Sequence, residues 1–132
     1  MHDCPSPAQL LQAVARYLRD EAGPALARGA DAALAYQARV AANALDIAGR
    51  QLARAPADEA AELARLQALL GQSGTLADLN QGLADGIASG QLASDHPGLA
   101  DHLWLTTLAK LAVDQPGYDT YRRLTAPAPD KD

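Results

Sequence analysis

The chain has 132 residues and a formal net charge of −5 at pH 7; 48% of its residues are hydrophobic and only 4% are aromatic. A chain of this length suits one domain that buries roughly two thirds of the surface exposed when it is unfolded. The acidic balance excludes the overall basic field with which DNA- and RNA-binding domains release counterions, so we expect no nucleic-acid partner.

The choice of apolar residues predicts an all-α fold. The chain has 31 alanines and 21 leucines, against three valines, two isoleucines, five threonines and no phenylalanine. Alanine and leucine favour helices, whereas β-branched and aromatic residues favour strands. We therefore expect a single-domain bundle of about five helices over residues 1–125, without a sheet, and a disordered tail over residues 126–132.

The first predicted helix covers residues 7–22. It begins at Ser6-Pro7, a hydroxyl that can cap free N–H groups followed by a proline at the first helical position. Gly23-Pro24 is expected to stop it. A short turn or partial helix then follows, and Asp31 can cap the next helix.

The central helix is predicted over residues 32–55, ending before Pro56. Steps of about 100° per residue give it two apolar sides, which is typical of a helix at the centre of a bundle. One side is a tight seam of Leu34, Ala38, Ala41, Leu45, Ala48 and Leu52. The other is a stripe of Tyr36, Val40 and Ile47.

Three further helices are predicted over residues 58–70, 75–89 and 98–115. Thr75 caps the second of them, and the third turns Trp104, Leu105, Leu108, Leu111 and Ala112 inward. Tyr118 and Tyr121 are expected to hold a last short turn against the bundle. The predicted core contains Leu45, Leu52, Leu66, Leu83, Trp104 and Leu108.

The N-terminal segment lacks a basic region followed by a long apolar run, so no secretory signal is expected. No apolar stretch approaches the roughly 20 residues that span a bilayer. The single cysteine, Cys4, allows no internal disulfide and fits a reducing compartment. We therefore expect a cytoplasmic protein without a membrane partner.

Catalytic motifs are not apparent in the sequence. His2, Asp3 and Cys4 are consecutive, and consecutive residues at a chain terminus rarely converge on one metal ion. His96 and His102 do not share a helix face, so we expect a capping or loop role for His96 and a solvated side chain for His102. With no phosphate-binding glycine loop, nucleophile motif or zinc motif, we expect no catalytic residues, no metal and no cofactor. The protein is therefore not expected to be catalytic alone.

One polar constellation lies on the central helix. Arg39, Asn43, Asp46 and Arg50 fall within one arc, beside the apolar stripe that begins at Tyr36. Asp46 and Arg50 are four residues apart and can form an ion pair. The constellation is either a solvated ladder of charges or a binding site for a partner chain or an anionic ligand, for which arginine is well suited.

Four stretches resemble one family of short bacterial proteins classed as a domain of unknown function: MHDCPSPAQLLQAVARYL, ARVAANALDIAGRQL, LNQGLADGI and HLWLTTLAKLAVDQPGYDTY. Members of that family are encoded beside a kinase of the aminoglycoside-phosphotransferase type and an acyl-CoA dehydrogenase. The resemblance implies an accessory subunit of a kinase that acts on a hydroxyacyl-CoA. Gly117 stands where the family pattern leads us to expect an arginine, so no role of that arginine carries over.

Three functions remain open at this point. The first is a non-catalytic partner of the kinase, and the second is a small helical protein that binds acyl-CoA or another small molecule. The third is an independent enzyme. The identity of the partner, the substrate and the oligomeric state, including self-association, are not fixed by the sequence.

Overall fold

The computed structural model describes residues 5–29 and 31–127, and in these residues every regular element is helical and no strand occurs. The helices are α1 (Pro7–Tyr17), α2 (Gly23–Arg28), α3 (Ala32–Leu70), α4 (Leu76–Ala88), α5 (Leu99–Asp114) and α6 (Asp119–Thr125). A π-helical turn, Leu18–Ala22, lies between α1 and α2. The predicted all-α class is confirmed.

Internal contacts divide the chain into two compact units, Met1–Ala55 (unit 1) and Pro56–Asp132 (unit 2). The first part of α3 belongs to unit 1 and the second part to unit 2. The domain limit at residue 125 stays a prediction, and residues 128–132 of the expected tail lie outside the described residues, as do His2, Asp3 and Cys4.

The predicted break at Pro56 is wrong, because α3 continues through this residue. Proline removes one helical hydrogen bond and crowds the carbonyl group four residues earlier. Here Pro56 is exposed, so water can solvate the carbonyl groups that lose their partners. The sequence predicted two helices, 32–55 and 58–70, where the structure has one.

The helix starts in unit 1 follow the predicted capping. The Ser6 hydroxyl accepts a hydrogen bond from the Gln9 amide N–H at 3.3 Å, and the Gln9 side chain accepts one from the Ser6 N–H at 2.7 Å. The Asp31 carboxylate accepts a hydrogen bond from the Leu34 N–H at 3.0 Å at the start of α3. These contacts satisfy N–H groups that have no partner within their helices.

Gly23-Pro24 does not interrupt the helical path as expected. The π-helical turn takes the chain from α1 directly into α2, and the Gly23 N–H donates to the Leu18 carbonyl five residues earlier. Pro24 lies at the start of α2, where a missing N–H costs little. Gly23 is buried, and a Cβ there would lie 3.0 Å from the Leu18 carbonyl oxygen, which accepts the Gly23 N–H bond of the same turn. A larger residue would have to displace that carbonyl group by a few tenths of an ångström.

Small residues form the interior of unit 1. The residues buried in its described part are Ala15, Gly23, Ala35, Ala38, Ala42 and Gly49. A Cβ at Gly49 would lie 3.8 Å from both the Ala8 carbonyl oxygen and the Leu11 Cβ, which shows how closely α1 packs on α3. On the α3 side this contact is therefore made by glycine and not by a leucine.

The predicted seam of the central helix is partly wrong. Ala38 is buried and Leu45 is half-buried, but Leu34 and Leu52 are 45% and 55% exposed. The packed side of α3 is rotated by about one residue from the predicted seam. The prediction placed leucines on the packed side of α3, whereas the buried residues there are alanines and a glycine.

Unit 2 has a leucine core. Leu66 of α3 is fully buried against Leu79 and Leu83 of α4 and Leu99 of α5. The Thr75 hydroxyl caps α4 by accepting a hydrogen bond from the Asp78 N–H at 3.2 Å, as predicted. The predicted burial is confirmed for Leu66 and Leu83.

The predicted inward face of α5 is only partly correct, because Ala112 is buried as predicted but the larger side chains are not. Trp104 and Leu105 are 50% and 45% exposed, Leu108 is half-buried, and the buried side carries His102 and Val113. Because α5 is apolar on nearly all sides, periodicity does not distinguish its faces. The face that is buried includes His102 and half-buried Thr106, which meet polar groups of α3.

Candidate functional site

A cleft of about 380 Å³ lies in unit 1 beside the π-helical turn. We call it the Arg39 cleft; its lining residues are Arg19, Gly23, Pro24, Ala27, Ala32, Ala35 and Arg39. The π-helical turn supplies Arg19, α2 supplies the small apolar residues of one wall, and α3 supplies the opposite wall and Arg39. Two guanidinium groups therefore border a largely apolar floor.

The two arginines of this cleft differ in their partners. Arg19 forms an ion pair with Asp46 through its Nη2 atom, and both side chains are partly exposed. Such a pair contributes about 0–1 kcal/mol to stability and chiefly fixes the position of the guanidinium group. Arg39 is exposed and has no ion-pair partner among the described residues. Its guanidinium group is thus available to an anionic group in the cleft.

The other predicted site residues lie along the same stretch of α3. Tyr36 is 62% exposed, Asn43 is exposed, and Asp46 and Arg50 are half-buried. The structure brings Asp46 to Arg19, a partner that the sequence analysis did not name. The pairing of Asp46 with Arg50, and the assignment of these residues to a binding site, stay predictions.

Arg19 was missed because it is 27 residues from Asp46 in the sequence. Helical spacing identifies neighbours within one helix, and it carries no information on contacts between helices. The available signal was Gly23-Pro24, a dipeptide that disturbs a regular helix and here accompanies the π-helical turn that presents Arg19. Such turns occur frequently at functional sites.

A second polar cluster lies in unit 2, around His102. The expectation of a solvated side chain is wrong, since His102 is 2% exposed. Its Nδ1 has no hydrogen-bond partner among the residues that the structure describes. Burial lowers the pKa of His102 below 6.5, the nearby Arg65 charge lowers it further, and the Glu62 charge acts in the opposite direction. The ring is therefore neutral at pH 7.

Arg65 is the centre of this cluster. Its Nη2 donates to the Thr106 hydroxyl at 3.4 Å, and its buried Nε has no partner. The Glu62 carboxylate accepts a hydrogen bond from the Asn80 amide at 3.0 Å. The sequence analysis missed Arg65 because it lies outside the predicted arc of charges.

Clusters of metal ligands and membrane-spanning helices are not found in the described part of the chain. Among the described residues, no group of three or more histidine, cysteine, aspartate or glutamate side chains is placed to hold a metal ion. Over the same residues, no helix combines the length and the apolar character needed to span a bilayer.

Comparison with known proteins identifies one family. Neither the comparison with curated proteins nor the comparison with solved structures gives a significant match. The family model of DUF6285, a domain of unknown function, matches residues 28–118. This match covers α3, α4 and α5 and includes Arg39, Arg65 and His102. The chain belongs to the DUF6285 family.

Proposed function

We propose that this protein is a non-catalytic accessory subunit that binds and supports a phosphotransferase-fold kinase acting on a hydroxyacyl-CoA in the cytoplasm. The observation that carries the proposal is the unpaired, exposed Arg39 at the edge of an apolar cleft. Tyr36 and Val40 stand exposed beside it on the same helix, by 62% and 50%. Arginine and tyrosine are enriched where protein interfaces concentrate their binding energy.

The arrangement of these side chains suits a protein partner. Asn43 and Ile47 continue the line of Tyr36 and Val40 at intervals of three and four residues, so a partner helix or loop can contact them together. A carboxylate of the partner can then reach Arg39 while apolar side chains cover the tyrosine. The Arg19–Asp46 pair fixes one edge of the surface before binding.

A second candidate is a small helical protein that binds acyl-CoA or another small anionic molecule. The Arg39 cleft favours it because arginines at the rim of an apolar floor can hold a phosphate or carboxylate. A volume of about 380 Å³ is at the small end for ligand pockets, so the cleft could enclose only part of an acyl-CoA. This candidate therefore ranks second.

The test is co-expression with a phosphotransferase-fold kinase of the kind that the resemblance places beside members of the family, followed by size-exclusion chromatography and a phosphorylation assay. We expect a stable complex, and a loss of affinity of about thirtyfold for Arg39→Ala, equivalent to about 2 kcal/mol. Arg28→Ala is the matched control, because Arg28 is an exposed arginine of unit 1 that does not line the cleft. Both variants should remain folded, since exposed substitutions shift stability by less than about 0.5 kcal/mol.

The proposed surface is wrong if a folded Arg39→Ala, Asn43→Ala double variant still co-purifies with the kinase and supports full turnover. Loss of kinase binding by the Trp104→Ala variant would then indicate that the kinase contacts the exposed side of α5. If no complex forms, and calorimetry instead detects acyl-CoA binding that Arg39→Ala weakens, the second candidate replaces the first.

A further inference from the structure

A second cleft, of about 280 Å³, lies in unit 2 at the start of α5. We call it the Arg65–His102 cleft; it is lined by Arg65, Ala68, Leu69, Pro97, Gly98, Asp101 and His102. The α3 residues supply an apolar wall and one guanidinium group. The first turn of α5 supplies backbone and the buried imidazole.

Two buried nitrogens of this cleft have no hydrogen-bond partner within residues 5–29 and 31–127. They are Nε of Arg65 and Nδ1 of His102. His102 is only 2% exposed. A buried polar atom without a partner costs about 1–3 kcal/mol, so most such atoms in proteins are satisfied by protein, water or ligand. The Arg65 nitrogen is always a donor, and the His102 nitrogen is a donor in one neutral tautomer. Together they favour a ligand that offers oxygen acceptors.

The start of α5 adds to this preference. Gly98 occupies the N-cap position with a φ of 82°, a conformation that suits glycine, and it has no side chain with which to cap the helix. A Cβ at Gly98 would lie 3.7 Å from Leu69 Cδ1, so the backbone here approaches the apolar wall closely. The first turn of a 16-residue helix leaves N–H groups without partners inside the helix, which favours a negative charge nearby.

The charges around the cleft favour a ligand that carries a single negative charge. Asp101 lines the cleft, and the Glu62 charge is close enough to act on His102. Both carboxylates would repel a doubly charged phosphate more strongly than a single carboxylate, which can pair with the one positive charge of Arg65. Ala68, Leu69 and Pro97 provide apolar contact for the remainder of the ligand. The volume fits a small molecule.

We propose that the Arg65–His102 cleft binds a small monocarboxylate, with its carboxylate accepting hydrogen bonds from Arg65 and from His102 Nδ1 and its short apolar chain lying on Ala68 and Leu69. Both nitrogens are covered in the structure, so the Arg65 side chain must rotate to admit the ligand. The hydrogen bond from Arg65 to Thr106 is long, at 3.4 Å, and therefore restrains the Arg65 side chain only weakly. This site lies in unit 2 and does not depend on the proposed kinase surface.

The test uses the full chain and sodium propionate as the probe, with binding followed by NMR of the His102 ring. Propionamide, which has the same shape without the charge, is titrated in parallel at matched ionic strength. We expect a saturable shift of the His102 ring with propionate and none with propionamide. Arg65→Gln should weaken propionate binding at least about tenfold, as expected for the loss of a hydrogen bond to a charged group.

Two further variants make the result decisive. Ala68→Leu fills the cleft from an exposed position and leaves Arg65 and His102 in place, so it should weaken binding as much as Arg65→Gln while remaining folded. Lys110→Gln removes an exposed charge elsewhere on α5 and should change affinity by less than about twofold. The proposal is overturned if wild-type protein shows no saturable shift, if propionamide binds as tightly, or if Ala68→Leu binds propionate like the wild type. If Arg65→Gln does not fold, Ala68→Leu decides the question.

Discussion

Replacing Leu66 with alanine tests the core of unit 2 directly. Leu66 is fully buried, and its neighbours Leu79, Leu83 and Leu99 belong to two other helices. Substitutions of this kind cost about 2–5 kcal/mol, depending on how far the surroundings collapse into the space left behind. Since three leucines on helices surround the site, collapse is restricted and we expect a loss of about 3–4 kcal/mol.

Thermal unfolding followed by circular dichroism measures this loss. For a chain of this size each kcal/mol corresponds to roughly 4 °C, so the midpoint should fall by about 12–16 °C. Leu52→Ala is the matched control, because it is the same substitution on the same helix at a site that is 55% exposed. Its free energy of unfolding should change by less than about 0.5 kcal/mol. Equal midpoints for the two variants would refute the assignment of Leu66 to the core.

Three other substitutions test separate features by urea or thermal unfolding. Gly23→Val should destabilise the protein by about 2–3 kcal/mol, because the new Cβ would lie 3.0 Å from the Leu18 carbonyl oxygen of the π-helical turn; a neutral result would show that this turn adjusts without cost. Pro56→Ala should stabilise it by about 1–2 kcal/mol by restoring a hydrogen bond within α3, and a loss of stability would contradict the continuous helix. In the folded state the pKa of His102 is below its ordinary value of 6.5. As the pH falls, the unfolded chain therefore binds a proton at His102 before the folded chain does, and the contribution of His102 to stability is lost below about pH 6.5. The stability advantage of wild type over His102→Gln should therefore shrink between about pH 7.5 and pH 5, and an advantage that stays constant would contradict the burial of the ring.

Local features of the fold were predictable from the sequence because they depend on neighbouring residues. Ser6, Asp31 and Thr75 cap helices where their side chains predict caps, and the Ala- and Leu-rich composition leads to helices. Pro56 shows the limit of such signals, because its effect depends on exposure to water. The sequence does not reveal that exposure.

Choosing the buried face of each helix required tertiary information. On α5, Trp104 and Leu105 form an apolar face as plausible as the one that is buried, and the hydrogen bond between Arg65 of α3 and Thr106, together with the burial of His102, distinguishes the two. The candidate site shows the same division. Arg39 could be selected from the residue pattern of its own helix. Arg19 and Arg65 are recognised as site residues only from their contacts with other helices.

The alanine and glycine interior of unit 1 has a consequence for its thermodynamics. The heat capacity of unfolding rises with the apolar surface that becomes exposed and falls with the polar surface, including the backbone. Helices that pack on Ala35, Ala38, Ala42 and Gly49 bury much backbone and little side chain. Unfolding of unit 1 should therefore carry a small heat capacity increment per residue, and its free energy of unfolding should change with temperature along a nearly straight line. The leucine core of unit 2 should give the free energy of unfolding of that unit a more strongly curved dependence on temperature.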